Sequence, residues 1–440
     1  FGKAAYEFVD FLKKARQKYW QVLPVGPTSY GDSPYQSFSA FAGNPYFIDL
    51  DTLAEEGLLT REEIDACYWG DDVTQVAYDT VFWYRFPLLK KAHARSEFHE
   101  EEGYEKFCME SWYWLNDYAL YMALKFHFDN QEWLAWPEDI RFRKRDAVER
   151  YKEELKEEID FWKFLQYKFF QQWKKLRAYA NSQGISIIGD IPIYVALDSA
   201  DVWNHPELFL LDEESLTPLK VAGVPPDAFS ETGQLWGNPL YRWDVQEKTD
   251  FAWWKERMKA SGRLYDVVRI DHFIGVVQYY AIPAGAEDGR TGEWLKGPGK
   301  RLTDAIGQVI GDTKIIAEDL GIFVPEVKAL LEETGYPGMK IIEFAFSGDR
   351  FNEHLPHMYT PNSVVYGGTH DNETLVGYFK PEERQWWELQ YIADYMGVSH
   401  QHEVVDKVLK TAYASVASVV ISQAQDILKL DNWARMNTPG

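Results

Sequence analysis

The stretch YDVVRID (265–271) reads as a short β-strand, apolar on both faces and ending in a carboxylate. The same design recurs along the chain. YWQVLPVGP (19–27), ISIIGDIPI (185–193), TKIIAED (313–319), MKIIEF (339–344), SVVYGGTHD (363–371) and SVVISQAQD (418–426) are β-branched runs that stop at a carboxylate, an amide or a Gly/Pro loop. Helical spacing appears between them, as in Phe8, Phe11, Leu12 and Ala15, or Val327, Leu330 and Leu331. Alternating buried strands and helices imply an α/β architecture with a parallel sheet. Seven such strands with polar C-terminal ends match a (β/α)8 TIM barrel, in which active sites lie at those ends.

Two intervals are too long for one barrel unit. Residues 52–184 read as a largely helical subdomain. Its second half carries Tyr151, Leu155, Ile159, Trp162, Leu165, Phe169, Trp173, Leu176 and Ala180 at helical steps, which predicts one long helix stopped by Gly184. Residues 194–264 form a second insertion containing the turn-rich loop 221–239. Both are expected to pack on the barrel, so that 1–440 is a single catalytic domain.

The 440 residues carry 46 Lys and Arg against 69 Asp and Glu, a formal charge of −23. Nucleic acid and anionic membrane surfaces are disfavoured partners, whereas a neutral ligand is not penalised. No run approaches the roughly 18 apolar residues of a spanning helix. The two cysteines, Cys67 and Cys108, exclude a disulfide framework and favour a reducing cytoplasm. Aromatic residues make up 16% of the chain, and core packing accounts for most. Others stand in polar loops, such as SPYQSFSAF (33–41) and GQLWGNPLYRW (233–243), where a ring face beside amides suits a sugar.

Asp190, Asp271, Glu318 and Asp371 each fall at or within a residue of an expected strand end. On a barrel they would ring one opening. N-capping of the following helices is the alternative reading. Arg269 and Asp271 are two apart on one strand, so they share a face, and the guanidinium favours an ionised carboxylate. A buried salt bridge with no chemistry is the alternative. Glu318 follows an apolar strand, and partial desolvation there would keep it protonated. Two carboxyls in opposed environments suit glycoside chemistry, one as nucleophile and one as acid. His370 neighbours Asp371, but no His or Cys spacing supports a metal, and no phosphate loop or EF-hand supports a nucleotide or calcium. No cofactor is expected.

YGDSPYQSFSAFAGNPYFIDL (30–50), GDIPIYVALDSADVW (189–203), VAGVPPDAFSETGQLWGNPLYRW (221–243), VVRIDHFIG (267–275), IIAEDLG (315–321) and GGTHDNET (367–374) resemble the motifs of the 4-α-glucanotransferases, glycoside hydrolase family 77. The resemblance covers essentially the whole chain. It implies a retaining transfer of α-1,4-glucan segments between maltooligosaccharide, starch or glycogen chains. It makes Asp271 the nucleophile, Glu318 the acid/base and Asp371 the third carboxylate. It assigns Arg269, His370 and Asp190 to the donor site, Tyr35 to stacking beside the cleavage point, Trp236 and Asp227 to a loop over the cleft, and Tyr78 to its mouth. Packing of the loop is the alternative role for Trp236. An α-amylase-like hydrolase and a catalytically silent glucan-binding protein are the rival functions. The chain starts at Phe1 and ends in ARMNTPG, inside the length usual for the family, so a first barrel strand and a last helix are expected to be missing. Glu343, in KIIEF, stands where the family often has an amide.

Overall fold

The computed structural model describes residues 1–72, 74–227, 230–380, 382 and 384–437. Ala228 and Phe229 of the 221–239 loop lie outside the described residues. The described strands are β1 (Tyr19–Gln21), β2 (Ser186–Pro192), β3 (Lys220–Val224), β4 (Gln234–Pro239), β5 (Val267–Asp271), β6 (Gln278–Pro283), β7 (Glu293–Lys296), β8 (Lys314–Ala317), β9 (Gly338–Ile341), β10 (Ser363–Tyr366) and β11 (Val419–Ile421), and described α-helices separate all but the pairs β3–β4, β6–β7 and β9–β10. The strands β1, β2, β5, β8, β9, β10 and β11 are the ones read from the sequence. The chain divides into two compact units, Phe1–Val268 with Gly275–Lys314, and Arg269–Ile274 with Ile315–Gly440.

In the first unit β1 pairs parallel to β2, with Trp20 opposite Ile187. The Asp266 N–H donates to the Ile187 carbonyl, which sets the entry of β5 beside β2. A second, antiparallel sheet runs in the order β4-β3-β6-β7. Its small core is Val221, Tyr280 and Ile282. Here the structure corrects the sequence reading. The turn-rich loop 221–239 is mostly two paired strands, because its glycines permit a close approach. A Cβ on Gly223 would sit 2.1 Å from the Gln234 carbonyl. The hairpin of β6 and β7 had no sequence expectation.

The long helix is interrupted. Arg145–Glu154 and Lys156–Ser182 are separate helices, and Leu155 between them leaves helical geometry at φ −105° and ψ 20°. Apolar spacing continues across the break, from Tyr151 through Leu155 to Ile159, so periodicity cannot detect it. Tyr151 therefore belongs to the shorter helix. Phe161, Trp162, Phe164, Leu165, Phe169 and Trp173 bury the long one, and Gly184 follows at φ +79°. In the helix Lys3–Lys14, Val9 and Leu12 are buried while Phe11 is 58% exposed, contrary to its expected place on the apolar face.

In the second unit β10 lies between β9 and β11, parallel to both, with Val364 opposite Met339 and Val419. The Ala317 N–H donates to the Pro337 carbonyl and the Glu318 N–H to the Ile270 carbonyl, so β8 runs beside both β9 and the end of β5. Ile342, Phe346, Leu355, Val365, Leu375, Phe379, Ile392, Met396, Val405 and Val408 form its core. β1 and β11 are half-buried throughout, not buried as their composition implies. Among the described residues, no helix is long and apolar enough to cross a membrane.

Candidate active site

Asp271 is the last residue of β5, and Glu318 directly follows β8. Asp190 lies inside β2, two residues before its end, and Asp371 lies five residues beyond β10. The expectation of strand-end placement thus holds closely for Asp271 and Glu318 and loosely for the other two. Helix caps in the structure are residues such as Asn44, Asp49, Ser199 and Thr374, and none of the four carboxylates takes that role at a described helix.

Arg269 is buried, and its Nη1 lies 3.0 Å from Asp271 Oδ1. The Arg269 Nε donates to Met339 Sδ at 3.3 Å, which fixes the plane of the guanidinium. The Asp271 side chain stays 29% exposed. The next residue, His272, adopts a left-handed backbone at φ +52°. That turn aims its N–H at Glu318 Oε2, 2.6 Å away, while the Leu320 N–H donates to Oε1 at 2.8 Å. Amide donors alone would favour the ionised acid. Burial, and then the charge of Asp271, outweigh them and Arg269, and push the Glu318 carboxyl up to about 8. Glu318 is therefore a protonated acid at neutral pH beside an ion-paired carboxylate. Burial also lowers the His272 imidazole to about 4.

Asp371 sits on a segment tied at each carbonyl. The Gly367 oxygen accepts from the Glu343 N–H, and Gln423 Nε2 donates to the Gly368 and Thr369 oxygens. Asn437 Nδ2 donates to the His370 oxygen, and Arg435 Nη2 to the Asp371 oxygen. The Asp371 side chain meets His370 Nε2 at 3.2 Å and Asn437 Nδ2 at 3.0 Å. Burial raises this carboxyl, but His370, Arg269 and Asn437 together bring it below its ordinary value. The guanidinium of Arg269 thus acts on Glu318 and on Asp371 as well as on Asp271. Among the described residues no cluster of His, Cys, Asp and Glu has the make-up of a metal site.

In the other unit Asp190 is 1% exposed and accepts a 2.7 Å hydrogen bond from Tyr35 Oη. The loop carrying Tyr35 is anchored at its far end. Gln166 makes two hydrogen bonds with the Gly43 backbone, and the Ala40 N–H donates to Asp201 Oδ2. Gln36 Nε2 donates to Asn238 Oδ1 at 3.3 Å, and Asn238 Nδ2 to the Val195 carbonyl. These bonds link the Tyr35 loop, β4 and the exit of β2. Trp236 is half-buried on β4, its ring 6.3 Å from that of Tyr194 and its Nε1 on Gln234 Oε1. Tyr78 begins the helix Tyr78–Arg95 with its ring 6.3 Å from Tyr46. Asp227 accepts from the Ser230 N–H and so makes its own turn.

The structure therefore gathers Arg269, Asp271, Glu318, His370 and Asp371 in one group, and Tyr35, Asp190 and Trp236 in another. Tyr78 and Asp227 join neither through a described contact. His272, Gln36, Asn238, Arg435 and Asn437 build these groups without having been singled out. All but the last two lie in the quoted motifs, one residue or two from a residue that was named.

A family model described as 4-alpha-glucanotransferase matches residues 1–440. The chain is 50% identical over 439 residues to a 4-alpha-glucanotransferase of Clostridium butyricum, covering 100% of this chain and 90% of that protein. An amylomaltase of Streptococcus agalactiae, solved with acarbose, superposes with a TM-score of 0.95 at 42% identity, over 100% of this chain and 88% of that one. The amylomaltase of Corynebacterium glutamicum shares the fold, with a TM-score of 0.78 at 18% identity over 99% of this chain and 66% of its own.

Proposed function

The chain belongs to the 4-alpha-glucanotransferase family, with an α/β fold of the (β/α)8 class, and on that premise we propose how its residues divide the reaction. The activity is transfer of an α-1,4-glucan segment from one chain to the 4-hydroxyl of another, by a retaining double displacement. In our reading Glu318 protonates the leaving glycosidic oxygen while Asp271 attacks the anomeric carbon. A covalent glycosyl-enzyme forms and the leaving chain departs with its new hydroxyl. Glu318, now ionised, takes the proton from the incoming 4-hydroxyl, which displaces Asp271 and restores the α-configuration. One glycosidic bond replaces another, so no outside energy source is required.

The observation that carries this division is the contrast between two neighbouring carboxyls, Glu318 raised to about 8 and Asp271 paired to Arg269 at 3.0 Å. Asp371, held by His370 and Asn437, is assigned to the sugar hydroxyls and to ring distortion. Tyr35, with its hydroxyl on Asp190, offers a ring for stacking. Trp236, Asp227 and Tyr78 are assigned to acceptor and cleft contacts. We take residues 1–440 as one catalytic domain working in the cytoplasm on neutral α-glucans, since a charge of −23 disfavours polyanions and both cysteines are free.

Maltotriose separates the functions. A transferase yields longer chains together with glucose and maltose, at little cost in total glycosidic bonds. A hydrolase yields new reducing ends from water, and a silent binder leaves the trisaccharide untouched. Products confined to hydrolysis would overturn this reading.

A further inference from the structure

The segment that carries His370 and Asp371 rests on a carboxyl that the reaction does not use. Glu343 is 3% exposed. Its N–H donates to the Gly367 oxygen, and its carbonyl accepts from the Tyr378 hydroxyl. A Cβ on Gly368 would lie 2.6 Å from Glu343 Oε1, so the carboxyl packs directly under the backbone of that segment.

The Oε1 atom is buried and meets no donor. Asp426 lies on the short helix Ala424–Ile427, after β11, and is fully buried. Its Oδ1 accepts from the Leu375 N–H, and its Oδ2 is likewise buried without a donor. The other charged groups facing Glu343 are Glu373, Arg384 and Arg435. Arg384 lies over the Tyr378 ring and 3.8 Å from Glu373, and Arg435 donates to the Asp371 carbonyl. Their described bonds are therefore made elsewhere. Two buried carboxylates, each with an oxygen that meets no donor, are costly, whereas one proton turns an acceptor into a donor and removes a charge.

We propose that Glu343 acts as a neutral carboxylic acid, and that it is a positioning residue for the Gly367–Asp371 segment and the His370–Asp371 pair. Burial raises Glu343 well above the ordinary range, with Asp426 and Glu373 adding to the effect, and burial raises Asp426 to about 6. A folded-state value raised in this way gives stability that is present at low pH and lost as pH rises through that value.

The role in transfer rests on the function proposed above, while the protonation does not. Glu343→Gln keeps the shape and the neutral donor, and Glu343→Ala removes both. In the full chain, Glu343→Gln is expected to melt within about 2 °C of wild type near pH 6 and above it near pH 9. Glu318 titrates in both proteins and cancels in the difference. Transfer from maltotriose is expected to stay within about threefold in Glu343→Gln and to fall about tenfold or more in Glu343→Ala, measured where both are folded. A Glu343→Gln protein destabilised equally at both pH values, or as inactive as Glu343→Ala, would overturn the proposal. Wild type that leaves maltotriose unchanged would defeat the functional reading alone, and the melts would still decide the protonation.

Discussion

Around Arg269, Asp271, Glu318 and Asp371, the described bonds to carboxylate oxygens come from a guanidinium, an imidazole, a side-chain amide and backbone N–H groups. At Trp236 the described side-chain contacts are to uncharged groups, a hydrogen bond from Nε1 to Gln234 Oε1 and the Tyr194 ring at 6.3 Å. The first region is preorganised by parallel strands whose ends aim charges. The second is an antiparallel strand, on which Gln36 Nε2 donates to the Trp236 carbonyl and to Asn238 Oδ1. Under the division of roles proposed above, proton and nucleophile chemistry, which tolerates little misplacement, falls to the first region, and acceptor-sugar contact, which rewards area more than angle, falls to the second.

The largest expected effect falls in the first region. Asp271→Ala removes the covalent route and is expected to lower transfer by about 10⁴-fold or more, with the fold retained by circular dichroism. More than about a tenth of wild-type activity would break the assignment. Glu318→Gln sharpens it. Natural glucans need a proton on the leaving oxygen and are expected to react about 10²–10⁴-fold more slowly, whereas a glycosyl fluoride needs none and should still glycosylate the enzyme. Equal losses on both donors would give Glu318 another role. In wild type, the acid must be protonated for the first displacement, so the rate of glycosyl-enzyme formation from natural glucans is expected to fall as pH rises past about 8.

The smallest effect belongs to the second region. Trp236→Ala is expected to weaken acceptor binding by about 1–3 kcal/mol and to raise the share of donor ending on water. Glucose and disproportionation products from maltotriose, with a thermal melt alongside, give the readout. A lower melting temperature with an unchanged product ratio would make Trp236 a packing residue and erase the contrast between the regions.

The same contrast governs what the sequence discloses. Buried parallel strands must be apolar on both faces, so β2, β5, β8, β9 and β10 stand out, and carboxylates at their ends are conspicuous against that background. The break at Leu155 leaves apolar spacing intact and is invisible to it. β3 and β4 read as a loop because Gly223 and Gly233, which the close approach of the strands requires, are also turn residues. Asp371 accepts from Asn437, more than sixty residues away in sequence, and no local pattern records such a partner. The raised pKa of Glu318 is inferable from its apolar strand. The His272 N–H that orients it is not, since it depends on a left-handed backbone at a residue that is not glycine.

The central claim is that Asp271 becomes covalently glycosylated while Glu318 manages the proton. It is tested most directly by the mass of Glu318→Gln after reaction with a maltosyl fluoride. The first displacement is spared and the second lacks its base, so a glycosyl-enzyme should accumulate. Tryptic mapping should place the added sugar on the peptide Ile270–Arg290, at Asp271, and an acceptor sugar restored with an external anion as base should discharge it. An adduct on a different carboxylate, or turnover of the fluoride to a product of inverted configuration with no adduct, would contradict the account.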